Sequence, residues 1–327
     1  MNKTSQEANR ARSGAPPTMV NIAPKKHSPA GRFFSLGKNG RLWQVLHFLK
    51  YRVPYQLGVR KRLAGPRDIN RINLLAVEHC TNSCRNCSTS SPFANKRFHP
   101  AAAFFPWLDL LTKEGVAFGH IAITGGEPFL HRSLYAFIEQ LHSRYPKKEI
   151  GLTTNFFWAN EKKIRDLAPH LKALDKLLIS KYPNVVSMLG GEKRFRSLVN
   201  LVRETCPHID VSVADGSNLI AWKLHSEKQR PQANCCTSDC YVLRADGKIS
   251  HCSVGVGLEN RSEYAQIVKS SKERLYDLRQ GLSGFLSWIR KYPFDLCWHC
   301  TLWRGVQAPW HVEGTNSPGG EVFAEHA

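Results

Sequence analysis

The chain reads as an α/β protein built on parallel strands, and three observations carry that reading. From residue 72 onward, short apolar segments alternate with helical patterns, the order expected of βαβ units with right-handed crossovers. The alternation stops near residue 215 and gives way to a segment rich in Cys and Gly, which marks a second, smaller module. The 327 residues are 42% hydrophobic and 22% charged, which excludes a wholly disordered chain and suffices for about two domains.

Each element follows from its local pattern. Residues 72–77 form a buried strand, and a helix follows over 104–114 with Pro106 accommodated in its first turn. Residues 119–124 and 132–144 give the second strand and helix. Strand 149–153 and helix 161–168, stopped by Pro169, make the third unit. Strand 174–180 and helix 192–204 make the fourth, and 209–213 is a fifth strand. No sixth unit of this kind is legible. A hairpin is expected around Ala245, Asp246 and Gly247, and a helix over 275–290. The expected organisation is a basic, partly disordered arm over 1–70, a core over 71–225, a cysteine-rich domain over 226–305 and a loose tail over 306–327.

Nine of the ten cysteines fall into three groups: Cys80, Cys84 and Cys87; Cys235, Cys236, Cys240 and Cys252; Cys297 and Cys300. No apolar run approaches the ~18–20 residues of a membrane span, and the first thirty residues lack the apolar stretch of a signal peptide. A cytoplasmic protein is therefore expected, and its clustered thiols read as metal ligands or redox groups. Cys206, near a helix end, reads as a buried structural thiol.

The first group directly follows the first strand. Three thiolates within eight residues can grip three corners of an iron–sulfur cube and leave one iron open. Its Cx3Cx2C spacing resembles the loop of radical S-adenosylmethionine (SAM) enzymes. That resemblance implies a partial, open parallel βα barrel with a four-iron four-sulfur cluster on Cys80, Cys84 and Cys87. It also implies SAM bound at the open iron, cleaved reductively to a 5′-deoxyadenosyl radical that abstracts hydrogen from substrate. A zinc site completed by His79 or His99 is the alternative that the same donors permit. The family usually has an aromatic residue before the third cysteine; this chain has Asn86, which weakens the expected adenine packing there.

Gly125, Gly126 and Glu127 close the second strand, where glycine allows unusual backbone angles and close approach. They look like the family's Gly-Gly-Glu motif, whose backbone oxygens hold the SAM ammonium. Asn155, after Thr153 and Thr154, and Ser180 resemble positions that contact the ribose and methionine parts of SAM. A turn or helix-cap role is the plain alternative for each. Lys181 and Tyr182 follow Ser180 at the same rim.

From Cys236 the pattern runs Cx10Gx4C to Cys252, with Gly247 inside, and Cys297-x2-Cys300 comes later. This resembles the twitch module, a shortened relative of the SPASM domain. The resemblance implies a second four-iron four-sulfur cluster on Cys236, Cys252, Cys297 and Cys300, with Cys235 also satisfying the spacing as Cx11Gx4C. A structural zinc ribbon is the alternative. Cys240 is a candidate catalytic hydrogen donor, with a ligand or inert role beside it.

The chain carries 46 Lys and Arg against 26 Asp and Glu, a net charge of +20. Residues 1–70 hold 14 basic and 2 acidic side chains, so most of the excess lies outside every motif. Basic residues interleaved with Phe33, Phe34 and Trp43 suit peripheral contact with a membrane or polyanion, or a helix packed with a solvated basic face. The resemblance implies a radical SAM oxidoreductase, oxidising or epimerising a carbohydrate-like small molecule, with an anionic one favoured by the charge. Flavodoxin or ferredoxin is the implied low-potential electron donor. Peptide modification, and a basic zinc-containing nucleic-acid-binding protein, are the rival readings.

Overall fold

The structure, a computed structural model, describes residues 69–220, 222–228, 240–291, 293–301 and 307–310, all within one compact unit. The basic arm, Cys235 and Cys236 lie outside the described residues, and Cys240 is described by its backbone alone.

Five parallel strands form the body of the sheet: β1 (Arg71–Val77), β2 (His120–Gly125), β3 (Glu149–Thr154), β4 (Lys176–Lys181) and β5 (Asp210–Asp215). They lie in chain order, each bonded to the next. Between them run α1 (Phe105–Lys113), α2 (Leu134–Arg144), α3 (Glu161–Leu167), α4 (Pro183–Met188) and α5 (Glu192–Thr205). The sequence misses only α4, a short helix opened by Pro183, where the absent N–H costs nothing. Asn160 caps α3 by accepting from Lys163 N at 2.9 Å. In β1 Ile72, Asn73, Leu74, Leu75, Ala76 and Val77 are all buried, as in a strand covered on both faces. Ile72, Leu74, Ile121, Ile123, Leu152, Leu177 and Ile179 pack with Phe104, Leu108, Phe137 and Phe195 into the core, which also takes Cys206.

After β5 the chain does not add a strand beyond β5. Short β6 (Asn218–Ile220) leaves the sheet, and β7 (Cys240–Leu243) joins on the opposite side, parallel to β1. Asn73 Nδ2 donates to Tyr241 O at 3.0 Å across that seam. β8 (Lys248–Ser250) and β9 (Tyr276–Asp277) follow antiparallel, giving an open eight-stranded sheet, β5-β4-β3-β2-β1-β7-β8-β9. The cysteine-rich segment therefore shares the core's sheet instead of standing apart from it. The β7–β8 hairpin turns where expected: Arg244 N donates to Lys248 O at 2.9 Å, and Gly247 adopts φ 83. A Cβ on Gly247 would come within 2.7 Å of the Trp107 ring.

Two expectations are corrected. The helix expected over 275–290 is only α8 (Leu282–Arg290), preceded by α6 (Ser253–Val256) and α7 (Ala265–Ser270). Residues 276–277 are β9, Asp277 accepts from Arg279 N at 3.1 Å to start a tight turn, and Gly281 at φ 86 resets the chain direction. Residues 307–310, assigned to a loose tail, include β10 (Gln307–Pro309), paired antiparallel with β6. No helix among the described residues is long and apolar enough to cross a membrane.

Candidate active site at the carboxyl ends of the strands

The cysteine loop is locked in place by the end of β2. Gly126 N donates to Val77 O at 2.7 Å and Glu127 N to His79 O at 2.8 Å. Gly125 lies at φ 132, and a Cβ there would sit 2.0 Å from Val77 O; at Gly126 it would sit 1.9 Å from His79 O. Any larger residue pushes the start of the cysteine loop off the strand. Within the loop, Cys87 N donates to Cys84 O at 3.1 Å and Ser90 N to Cys87 O at 3.1 Å.

Glu127 ties β2 to β3. Its Oε1 accepts from Thr154 Oγ1 at 2.7 Å and Phe129 N at 3.1 Å, and its Oε2 accepts from Asn155 N at 2.7 Å. Burial pushes its carboxyl up to about 7, against the pull of those three donors. Asn155 carries the tie onward: its Nδ2 donates to Thr81 Oγ1 at 3.0 Å and lies 3.6 Å from Cys80 Sγ. Its Oδ1 accepts from Phe157 N at 3.0 Å. The bend between them needs Phe156 at φ 67, held by its N–H on Thr154 Oγ1 at 3.0 Å and by full burial against Trp158 and Phe195.

All three sulfurs have polar neighbours. Cys80 Sγ accepts from Asn82 N at 3.3 Å, Cys87 Sγ lies 3.4 Å from Thr89 Oγ1, and Cys84 Sγ accepts from Trp310 Nε1 at 3.0 Å. Burial pushes the Cys80 thiol up to about 12 and Cys84 to about 11, with charge on neighbouring thiols adding to both. Tyr182, after β4, is raised well above the usual phenol range, first by burial and then by charge on Cys84, Cys87 and Cys80. Ser180 hydrogen-bonds the Tyr182 side chain, so the end of β4 reaches the loop through that ring. Lys181 instead faces Glu192 at 3.6 Å.

Three thiols on one loop suit a multi-iron cluster, in which each thiolate takes its own iron. Among the described residues, no three His, Cys, Asp or Glu side chains converge on a single-ion site. His99, a candidate fourth zinc ligand, spends Nε2 on Glu78 Oε1 at 2.8 Å.

The cysteines of the second group with described side chains are Cys252, Cys297 and Cys300. Cys252 caps α6 by accepting from Gly255 N at 3.4 Å, and Cys252 and Cys300 pack with Trp222, Leu224, Val254, Leu258 and Leu296. Cys297 Sγ lies 3.6 Å from His251 Nε2. Burial pushes His251 down to about 3, and its ring lies 4.2 Å from Phe294. A Cβ on Gly257, just after α6, would sit 2.0 Å from Thr89 O, so the two cysteine segments touch through their backbones.

A family model described as Radical SAM superfamily matches residues 75–181, the stretch holding the cysteine loop, Gly125–Glu127, Asn155 and Ser180. That stretch carries a radical SAM domain by this match. GTP 3′,8-cyclase of Nautilia profundicola is 30% identical over 129 residues, 38% of this chain and 39% of that protein. GTP 3′,8-cyclase of Helicobacter pylori is 34% identical over 94 residues, 28% of this chain and 29% of that protein. The chain thus spans about two fifths or less of these relatives' lengths. The structure of BtrN in complex with AdoMet and 2-DOIA aligns with a TM-score of 0.47 at 16% identity, covering 71% of this chain and 93% of that one.

The matched stretch brings Cys80, Cys84, Cys87, Gly125, Gly126, Glu127, Asn155 and Ser180 to one end of the sheet. It turns the Glu127 carboxylate inward as a strand tie and places Ser180 behind Tyr182. Cys240 opens β7 opposite Arg71, one end of the strand away from the loop that follows Val77. Sequence reasoning missed Asn82, whose Oδ1 accepts from Asn184 Nδ2 at 2.8 Å, and Thr89, whose hydroxyl donates to Gly125 O at 3.2 Å. Both lie in or beside the motif and were open to view. It also missed His251, beside a cysteine already singled out, and Trp310, which nothing near the motif signals.

Proposed function

We propose that Cys80, Cys84 and Cys87 hold a four-iron four-sulfur cluster that binds SAM, and that the enzyme removes hydrogen from a C–H bond of a carbohydrate-like small molecule. The observation that carries the first half is the cysteine loop locked to Gly125 and Gly126, with N–H donors on Cys80 and Cys84 and the Thr89 hydroxyl beside Cys87. When bound, the cluster supplies the electron that splits SAM into methionine and the 5′-deoxyadenosyl radical, which takes the substrate hydrogen. The chain's own part is positional. Asn82, Thr89 and Asn155 orient the thiolates, while Glu127 and Thr154 fix the strand ends around them.

The cysteine pattern of the second group supports an oxidative outcome: Cys252, Cys297, Cys300 and one of Cys235 and Cys236 would hold a second cluster, which would supply a site for the electron leaving the substrate. A flavodoxin or ferredoxin supplies the first electron. A second reading takes its support from the relatives' name: a purine nucleoside triphosphate, another anionic substrate, acted on by a domain with the same SAM chemistry.

The test is deuterium transfer. Anaerobically reconstituted protein is given SAM and dithionite with deuterated sugar phosphates, aminocyclitols, GTP or precursor peptides. Label in 5′-deoxyadenosine from a sugar-like compound supports the proposal. Label from GTP or from a peptide alone replaces that substrate class with the one labelled.

A further inference from the structure

Trp310 is 226 residues beyond Cys84, yet its indole N–H donates to Cys84 Sγ at 3.0 Å. It lies outside the matched stretch 75–181, so this contact belongs to the chain's own C-terminal segment. Three further contacts hold it. Trp310 N donates to Ser217 O at 2.8 Å. The strand just before it pairs with β6, Gln307 opposite Ile220 and Pro309 opposite Asn218. Its ring lies 6.2 Å from the Tyr182 ring, at 39°. Tyr182 is itself seated against Gly216, where a Cβ would come within 2.8 Å of the phenol ring. Ser217 and the partner strand β6 both follow β5 directly, so the indole is braced from the core.

We propose that Trp310 is a positioning residue for the cluster of the first cysteine loop, holding Cys84 through an N–H···S hydrogen bond and raising the cluster's reduction potential. The proposal rests on the reading that these cysteines bind a cluster. An N–H aimed at a ligand sulfur gains strength as negative charge builds on the cluster, so it favours the reduced form. The ring separately keeps water from a thiol that is already buried. If Trp310 served only as packing, phenylalanine would replace it without consequence for the potential.

Two variants of the full chain separate these roles. Trp310→Phe keeps an aromatic cover and deletes the donor; Trp310→Ala deletes both. In an EPR-monitored redox titration of reconstituted protein, Trp310→Phe is expected to lower the reduction equilibrium constant roughly three- to tenfold, tenfold being about 59 mV for one electron. In iron-free protein, iodoacetamide labelling of Cys84, read by peptide mass spectrometry against Cys206, is expected to be slow in wild type and Trp310→Phe. In Trp310→Ala it rises several-fold. An unchanged potential in iron-loaded Trp310→Phe overturns the proposal alone, as does Cys84 labelling at one rate in all three proteins. A wild type that takes up no iron overturns the cluster reading and this proposal with it.

Discussion

The two cysteine groups are held by different forces. Around Cys80, Cys84 and Cys87 the contacts are polar and directional, from Asn82, Thr89, Asn155 and Trp310. Around Cys252 and Cys300 they are mostly apolar, from Trp222, Leu224, Val254, Leu258 and Leu296. N–H donors aimed at sulfur, as from Asn82 and Trp310, lower the cost of added negative charge. The first group is thus held by directional contacts and the second mainly by packing. The contrast separates two kinds of lesion, one that stops the chemistry and one that strips the module.

The largest effect is expected from Cys84→Ala. It should remove about half of an iron load of about eight and reduce dithionite-dependent 5′-deoxyadenosine to background, as measured by iron assay and chromatography. Cys252→Ala should remove a similar share of iron while the EPR signal of the SAM-binding cluster persists. Loss of both signals together from Cys252→Ala would break the comparison, since the two groups would then be one cooperative site.

Next comes Gly126→Ala. Its methyl group would collide with the backbone at His79 O, 1.9 Å away, where no rotamer change relieves it. A stability loss of more than about 2 kcal/mol is expected by urea denaturation. Gly119→Ala, with no atom within 4 Å of its Cβ position, should stay within about 1 kcal/mol as the matched control.

The smallest effect concerns Glu127. Its folded pKa, about 7, lies above that of an unfolded glutamate. Between about pH 4.5 and 7 the native protein keeps a proton that the unfolded chain has released, so stability falls as pH rises and levels off above that window. Glu127→Gln should flatten this slope. It should also cost about 1–3 kcal/mol, because its amide nitrogen would face the Asn155 N–H that Glu127 Oε2 now accepts. Denaturant midpoints of the iron-free proteins across that pH range would show both.

Much of the fold was legible because local pattern decides it. Ile72, Leu74, Ile121 and Ile123 are buried on strands that the apolar runs announce, and Pro169 stops a helix near the expected place. The placement of β7 beside β1 was not legible, since register across 168 residues, as between Asn73 and Tyr241, leaves no mark in either segment. The cysteine loop and Gly125–Gly126 announced themselves by spacing and by a requirement only glycine meets. Glu127 was seen as a site residue, but its inward turn depends on Thr154 and Asn155, one strand away. Trp310 was beyond reach, because β10 is three residues long and its partner β6 carries no strand pattern of its own.

The central claim is that the loop of Cys80, Cys84 and Cys87 holds a SAM-cleaving cluster. Anaerobic reconstitution followed by a dithionite assay for 5′-deoxyadenosine tests it most directly. The account predicts a brown, iron- and sulfide-loaded protein that forms 5′-deoxyadenosine, and a Cys84→Ala variant that forms none. A colourless protein loaded with zinc, forming no 5′-deoxyadenosine under the same conditions, would contradict it.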